Sequence, residues 1–339
     1  MPKRSSEEET VSDNKGRVSR RRLENAPPVE NISDLIKVGK SCKRYQNINS
    51  LLLWKILEDL EDLDKLIGLE DLKTSILNQI LYYLQNLHLR NYGNEYLHTM
   101  IYGSPGSGKT TVAKIIANIY RNLGILSPDG PFRIAHRDDF IAGYLGQTAI
   151  KTQKLLKSCI GGVLFIDEIY SLAPKENDKD SFSKEAIDTL NAFLSEYKDV
   201  FCCIGAGYED EVNNCFFNMN KGLERRFQWT HKIERYSVDD LVRIFLKMIR
   251  EIFWDCTIPQ TKLQEILHDN YELFTNQAGD MEILLTKCKI RHSRNLLSDP
   301  NKKVKFNIDL NDLNDGILEF KKHKKLPEKV ESIIDNMYM

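Results

Sequence analysis

The chain changes its hydrophobic period twice. From Leu51 to Leu66, "LLLWKILEDLEDLDKL" sets Leu53, Leu57, Leu60 and Leu63 on one face of a predicted helix. A longer amphipathic helix is predicted over 71–90, where Leu72, Ile76, Ile80, Leu84 and Leu87 recur every three or four residues. "IGL", Ile67 to Leu69, lies between them as an apolar hinge. Short apolar runs then take over: "TMIY" at 99–102, "PFRIA" at 131–135, "GVLFI" at 162–166, "VFCCI" at 200–204 and "WTHKI" at 229–233. Helical patterns separate them at 109–121, with Val112, Ile115, Ile116 and Ile119 inward, and at 147–158 and 183–197. Strands alternating with helices at this spacing predict an α/β fold, a parallel five-stranded sheet covered on both faces. After Tyr236 the strand signals largely stop. Ser237, ahead of Asp239 and Asp240, is a candidate N-cap opening a small helical domain that runs to about residue 320.

Composition agrees with two folded domains. The 339 residues are 41% hydrophobic and 29% charged, as in a globular protein with sizeable cores. No uninterrupted apolar run approaches the roughly 18 residues of a membrane span, so no membrane partner is expected. A formal net charge of −1 argues against a dedicated nucleic-acid binder. Cysteines 42, 159, 202, 203, 215, 256 and 288 form no CxxC pair, which suits buried thiols in a reducing, intracellular compartment, cytoplasmic or nuclear. The first thirty residues are charged and Ser-rich with few large apolar side chains, and residues 1–45 are expected to be a disordered tail. They lack the apolar core of a signal peptide, and Glu7, Glu8 and Glu9 count against a transit peptide. Arg20, Arg21 and Arg22 read either as a nuclear-import or phosphate-contact patch or as a solvated basic run.

"GSPGSGKTT" carries the strongest chemical signal. Gly103, Ser104, Pro105, Gly106, Ser107, Gly108, Lys109, Thr110 and Thr111 fit the GxxxxGK[ST] phosphate-loop template between a strand and a helix. Without intervening Cβ atoms, the glycine-rich main chain can bring N–H groups to phosphate oxygens, and the helix N-terminus adds partial positive charge. Lys109 is expected to reach the β- and γ-phosphates of ATP, and the Thr110 hydroxyl to ligate Mg²⁺. In "GGVLFIDEIY" a buried strand delivers Asp167 at its C-terminal end to orient the magnesium shell, with Glu168 next to it to polarise the attacking water. "NKGLERRFQ" supplies Arg225 and Arg226 before the last strand, candidates for an arginine finger given to a neighbouring subunit's nucleotide. Both also suit a surface ion pair with Glu224.

These residues resemble an AAA+ ATPase of the CbbX (CfxQ) and stage V sporulation protein K type. "RDDFIAGYLGQTAIKT", "GGVLFIDEIYSLAP", "DSFSKEAIDTLNAFLSEY" and "IGAGYEDEV" carry the likeness, which runs from about Leu66 to Phe320. It implies a large nucleotide-binding subdomain over 46–236, a helical lid over 237–320 and a basic C-terminal extension over 321–339. It also implies an ATP-dependent ring, usually a hexamer, that handles substrate in a central pore. Carried over by position, Lys109, Thr110, Asp167 and Glu168 fall on the nucleotide motifs, and Ile67 and Gly68 on the adenine pocket. Arg226 falls on the trans finger, with Arg225 as second candidate, and Tyr144 on the aromatic pore-loop residue. Tyr208 stands where Asn or Thr is common for sensing the γ-phosphate. "GDME", Gly279 to Glu282, puts an acid where the lid arginine is expected, and Lys287, Lys289 or Arg291 are candidate substitutes.

The leading expectation is an ATP-hydrolysing motor that remodels or partly threads a protein client. An AAA+ protein acting on nucleic acid and a non-hydrolysing nucleotide-binding scaffold are the alternatives. The basic clusters Arg20–Arg22 and "KKHKK" at 321–325 are not interleaved with aromatics as a strand-binding groove would be. The resemblance does not extend to the client, and Rubisco activation is not inferred from it.

Overall fold

The five apolar runs form one parallel sheet. The computed structural model describes residues 9–12, 18–21, 23–90, 95–144, 146–174, 181–297 and 306–337. Near the start of the chain β1 (Glu9–Ser12) pairs antiparallel with β2 (Val18–Arg21). Arg22 lies outside the described residues. The main sheet holds β3 (Thr99–Tyr102), β4 (Phe132–Ala135), β5 (Val163–Ile166), β6 (Cys202–Gly207) and β7 (Trp229–Lys232). Their order is β4-β5-β6-β3-β7, and every neighbouring pair is parallel.

Alternate strand residues enter two different cores. Ile101, Val163, Phe165, Cys202 and Ile204 join one cluster, while Met100, Leu164, Ile166 and Cys203 join the other. Burial on both faces is why these strands read as unbroken apolar runs instead of alternating ones. The central strands β5 and β6 are buried throughout. The three helices expected between strands span Lys109–Asn122, Thr148–Lys157 and Ser181–Glu196.

The sheet's N-terminal neighbours correct three expectations. Ile32–Lys40 is a helix capped by the Asn31 side chain, and its Ile32, Leu35, Ile36 and Val38 are buried in the first core. The disordered tail therefore does not extend over these residues, because their i, i+3, i+4 spacing gives a nine-residue helix a face to bury. The helix expected over 51–66 is two helices, Ser50–Lys55 and Leu57–Asp64, broken at Ile56, which is itself fully buried. The next helix spans Glu70–Leu84, and Leu87 falls in a separate 3-10 turn, 44% exposed instead of inward.

The chain divides into two compact units, residues 1–103 with 109–233, and residues 104–108 with 234–339. The second unit contains helices Val238–Glu251, Gln260–Asp269, Gln277–Leu297 and Leu310–Met337, with Asp255–Cys256 paired parallel to Asn307–Ile308. Ser237 caps the first of these helices in a reciprocal capping box with Asp240. No separate extension begins at residue 321: the last helix runs through it, with Phe320 buried and Lys324 bonded to the buried Asp280 at 3.0 Å. No helix among the described residues is long and apolar enough to cross a membrane.

Candidate active site

The phosphate loop leaves β3 at Gly103, whose N–H bonds the Gly207 carbonyl at the end of β6 at 3.1 Å. The Lys109 ammonium donates to the Gly103 carbonyl at 3.0 Å. Gly106 and Gly108 hold φ of +67 and +94, a region that a side chain disfavours. That conformation lets successive N–H groups converge as an anion cradle. The Ser107 hydroxyl is buried without a partner in the protein, and Thr110 is half-buried. A buried orphan hydroxyl beside a glycine cradle fits a phosphate group.

β5 delivers the acids. Asp167 is half-buried and accepts the Glu168 N–H at 3.0 Å, while Glu168 is exposed and holds φ +49. Burial pushes the Lys109 ammonium down, and Asp167 and Glu168 pull it back up. Opposite charges on the strand-end acids and on Lys109 are thus close enough to feel one another in the same unit. A threonine hydroxyl and a carboxylate are hard oxygen donors that suit Mg²⁺ completed by phosphate oxygens. Tyr208 follows β6 with its ring 6.2 Å from that of Tyr170, and burial and Glu168 both push the Tyr170 hydroxyl up.

The remaining candidates have distinct settings. Ile67 is half-buried, and Gly68 and Leu69 take successive left-handed conformations, φ +64 and +65, that set the hinge between two helices. Tyr144 is 73% exposed on the segment between Phe140 and Thr148. Arg226 is half-buried and bonded to Ser195 and Gly222 of its own chain, whereas Arg225 is exposed.

Within the second unit, Tyr236 donates its hydroxyl to the Ser107 carbonyl at 3.1 Å and its N–H to Gln277 Oε1 at 2.8 Å. A Cβ on Gly106 would lie 2.4 Å from the Asn276 carbonyl, so the loop tip and the turn before helix Gln277–Leu297 require glycine there. Glu282 is exposed on that helix, and Arg291 pairs with Glu319. Arg291 is therefore already engaged by a carboxylate of its own unit, while Lys287 and Lys289 are half-buried.

Sequence reasoning assigned no role to Arg137 and Lys151, whose side chains brace the Tyr144 segment by bonding main-chain carbonyls. A carbonyl acceptor leaves no residue-type signature, so only the basic residues themselves were visible.

Residues 99–231 match the family described as "ATPase family associated with various cellular activities (AAA)". The chain is 35% identical over 301 residues to the cfxQ-like protein R730 of Acanthamoeba polyphaga mimivirus, covering 87% of this chain and 73% of that one. It is likewise 35% identical over 263 residues to the chloroplastic ribulose bisphosphate carboxylase/oxygenase activase of Cyanidioschyzon merolae, covering 75% and 88%. The FIGL-1 AAA domain solved with ADP superposes with a TM-score of 0.52 at 17% identity, covering 74% of this chain and 82% of that one, which establishes a shared fold. Matches extending over most of both chains show the family, and the chain belongs to the CfxQ-type AAA+ ATPases, enzymes that hydrolyse ATP on a phosphate loop.

Proposed function

We propose that this ATPase is a Mg²⁺-dependent ring motor, a homo-oligomer of six subunits that remodels or partly threads a protein client. One observation carries the reading: the unit that holds Lys109, Asp167 and Glu168 also presents Tyr144, 73% exposed, on a segment braced at its base. An aromatic ring held out on a fixed base can grip side chains of any sequence, and its apolar area is lost to solvent when nothing occupies it.

In this reading Ile67 and Gly68 border the adenine, and residues Gly103 to Thr111 cradle the phosphates. Lys109 exchanges the Gly103 carbonyl for phosphate oxygens. Thr110 and Asp167 hold Mg²⁺, which when bound offsets charge on the β- and γ-phosphates. Glu168 accepts a hydrogen bond from the attacking water and polarises it, and Arg226, or Arg225 beside it, stabilises the transition state in the neighbouring subunit. The likeness to an activase of a carboxylase supports a protein as the class of client. The unpaired thiols, with Cys159, Cys202, Cys203 and Cys288 buried, support an intracellular setting.

A Glu168→Gln trap, which binds ATP without turning it over, tests the reading, with Lys109→Ala as the non-binding control. A specific protein retained by the trap with ATP and absent from the control is the expected result. Retention of nucleic acid instead, with salt-sensitive stimulation of turnover, would replace the protein client by a strand.

A further inference from the structure

The segment carrying Tyr144 is braced from two sides, and one brace reaches the strand end that bears Glu168. Arg137 opens the short helix Arg137–Phe140 just after β4. Its half-buried guanidinium donates to the Ser171 carbonyl, to the Ala173 carbonyl at 3.2 Å and to the Ser183 hydroxyl at 2.9 Å. Ser171 in turn donates its N–H to the Glu168 carbonyl at 2.7 Å, inside the 3-10 turn that follows β5. Ser171 therefore links the main chain of Glu168 to Arg137.

The second brace closes the base of the segment. Lys151 donates to the Asp138 carbonyl and to the Ile141 carbonyl at 2.8 Å. Thr152 donates to the Phe140 carbonyl at 3.0 Å, and the Ala142 N–H reaches the Thr148 hydroxyl at 3.2 Å. Phe140, Thr148 and Thr152 are fully buried, so these anchors are packed as well as bonded. Ends tied in this way do not move independently, and a displacement of the base is carried to the tip. Arginine suits the junction because its planar fork holds several acceptors in fixed directions, which a lysine ammonium does not. Glu168, at φ +49, sits in a sparsely populated main-chain well, a place where a small change in bound nucleotide can shift the backbone.

We propose that Arg137 is a positioning residue that passes the nucleotide state of Glu168 to the Tyr144 segment through Ser171. It acts on the main chain and not on the reacting atoms. The meaning of this transfer for a client rests on Tyr144 being the gripping residue, but the transfer itself does not.

Hydrogen exchange of the peptide 138–148 tests it in the whole chain, loaded either with a non-hydrolysable ATP analogue or with ADP. The unaltered protein should show a difference in exchange rate between the two nucleotides of at least about threefold. Arg137→Ala should abolish that difference, and Arg137→Lys and Ser183→Ala should reduce it, with nucleotide affinity unchanged. A merely structural role would loosen the peptide equally with both nucleotides and leave the difference in place, which overturns the proposal. Absence of any difference in the unaltered protein overturns it too. If Arg137→Ala does not fold, Arg137→Lys, which keeps the charge and loses the planar fork that holds the Ser171 and Ala173 carbonyls, decides in the same way: an undiminished difference sinks the transfer. A Tyr144→Ala protein that still works on its client would remove the gripping reading alone, since the exchange measurement reads the main chain.

Discussion

Arg226 donates through Nε to the Ser195 hydroxyl at 2.6 Å, on the helix that precedes β6. A finger that serves a neighbouring subunit must give up this bond, whereas the exposed Arg225 has no such contact to Ser195 to break. Arg226→Ala is expected to lower kcat of the assembled enzyme by about 10³-fold, the scale of a lost arginine finger, with nucleotide affinity preserved. Steady-state ATPase assays on both variants decide the assignment. A larger loss in Arg225→Ala than in Arg226→Ala would move the finger to Arg225.

Tyr144→Ala should keep basal ATP turnover within about twofold and abolish work on a client, since exposed side chains away from special contacts rarely alter stability. Parallel ATPase and client assays check this. Loss of assembly or of nucleotide binding in that variant would assign the ring a packing role instead.

His98 makes the fold sensitive to acid. Its Nδ1 accepts the Cys203 N–H at 3.1 Å and its Nε2 donates to the Leu194 carbonyl at 2.9 Å, an arrangement that only neutral imidazole satisfies. Burial pushes its pKa down to about 4, against a weaker upward pull from the Leu194 bond, and burial takes His231 down to about 4 as well. Between about pH 6.5 and 4 the unfolded chain takes up protons that the folded chain refuses. The stabilisation is complete above that window and is lost as pH falls through it, by up to about 1.4 kcal/mol per pH unit for each histidine. Urea titrations at pH 7, 6 and 5 should show the decline, and His98→Asn should make it shallower. A slope identical in the variant would detach His98 from the effect.

Gly162 precedes β5 where a Cβ would lie 2.1 Å from the Pro131 carbonyl oxygen. Main chain cannot swing aside, so Gly162→Ala should cost about 2 kcal/mol or more by overpacking. Gly124 is the control: it holds φ +74 but has nothing within 4 Å of the added Cβ. Gly124→Ala should cost only about 1 kcal/mol of left-handed strain. Chemical denaturation of the two variants gives the comparison, and equal losses would remove the steric account.

What the sequence disclosed and what it concealed divide along physical lines. The phosphate-loop pattern, Asp167 and Glu168 lie at fixed short spacings beside strands buried on both faces, so residue types alone mark them as candidates. The inner strands β3, β5 and β6 were visible for the same reason, while the edge strands β4 and β7 carry the exposed Arg133 and Lys232 and gave a weaker signal. The helix Ile32–Lys40 was hidden by the charged tail before it, and its apolar face has value only when other helices cover it. The break at Ile56 left no trace, since Ile56 suits a helix and the interruption comes from packing. Arg137 escaped because its partners at Ser171 and Ala173 are carbonyls, which every residue possesses. Glu282 misled in the opposite direction: the acid at the position of the expected lid arginine is exposed, while the buried acid of that turn is Asp280.

Asp280 also determines where the chain can be cut. Its carboxylate is wholly buried and is met by the Asn276 N–H at 2.7 Å and by Lys324, 44 positions further on, at 3.0 Å. The lid expected from the sequence ends at about residue 320, which would make that the obvious place to end a shortened protein for expression. That truncation discards the cation and strands a buried anion, a defect worth about 3–5 kcal/mol where one member of a buried pair is removed. The border expected for the lid and the border of the folding unit are therefore different, and the second lies at least one helical turn beyond the first.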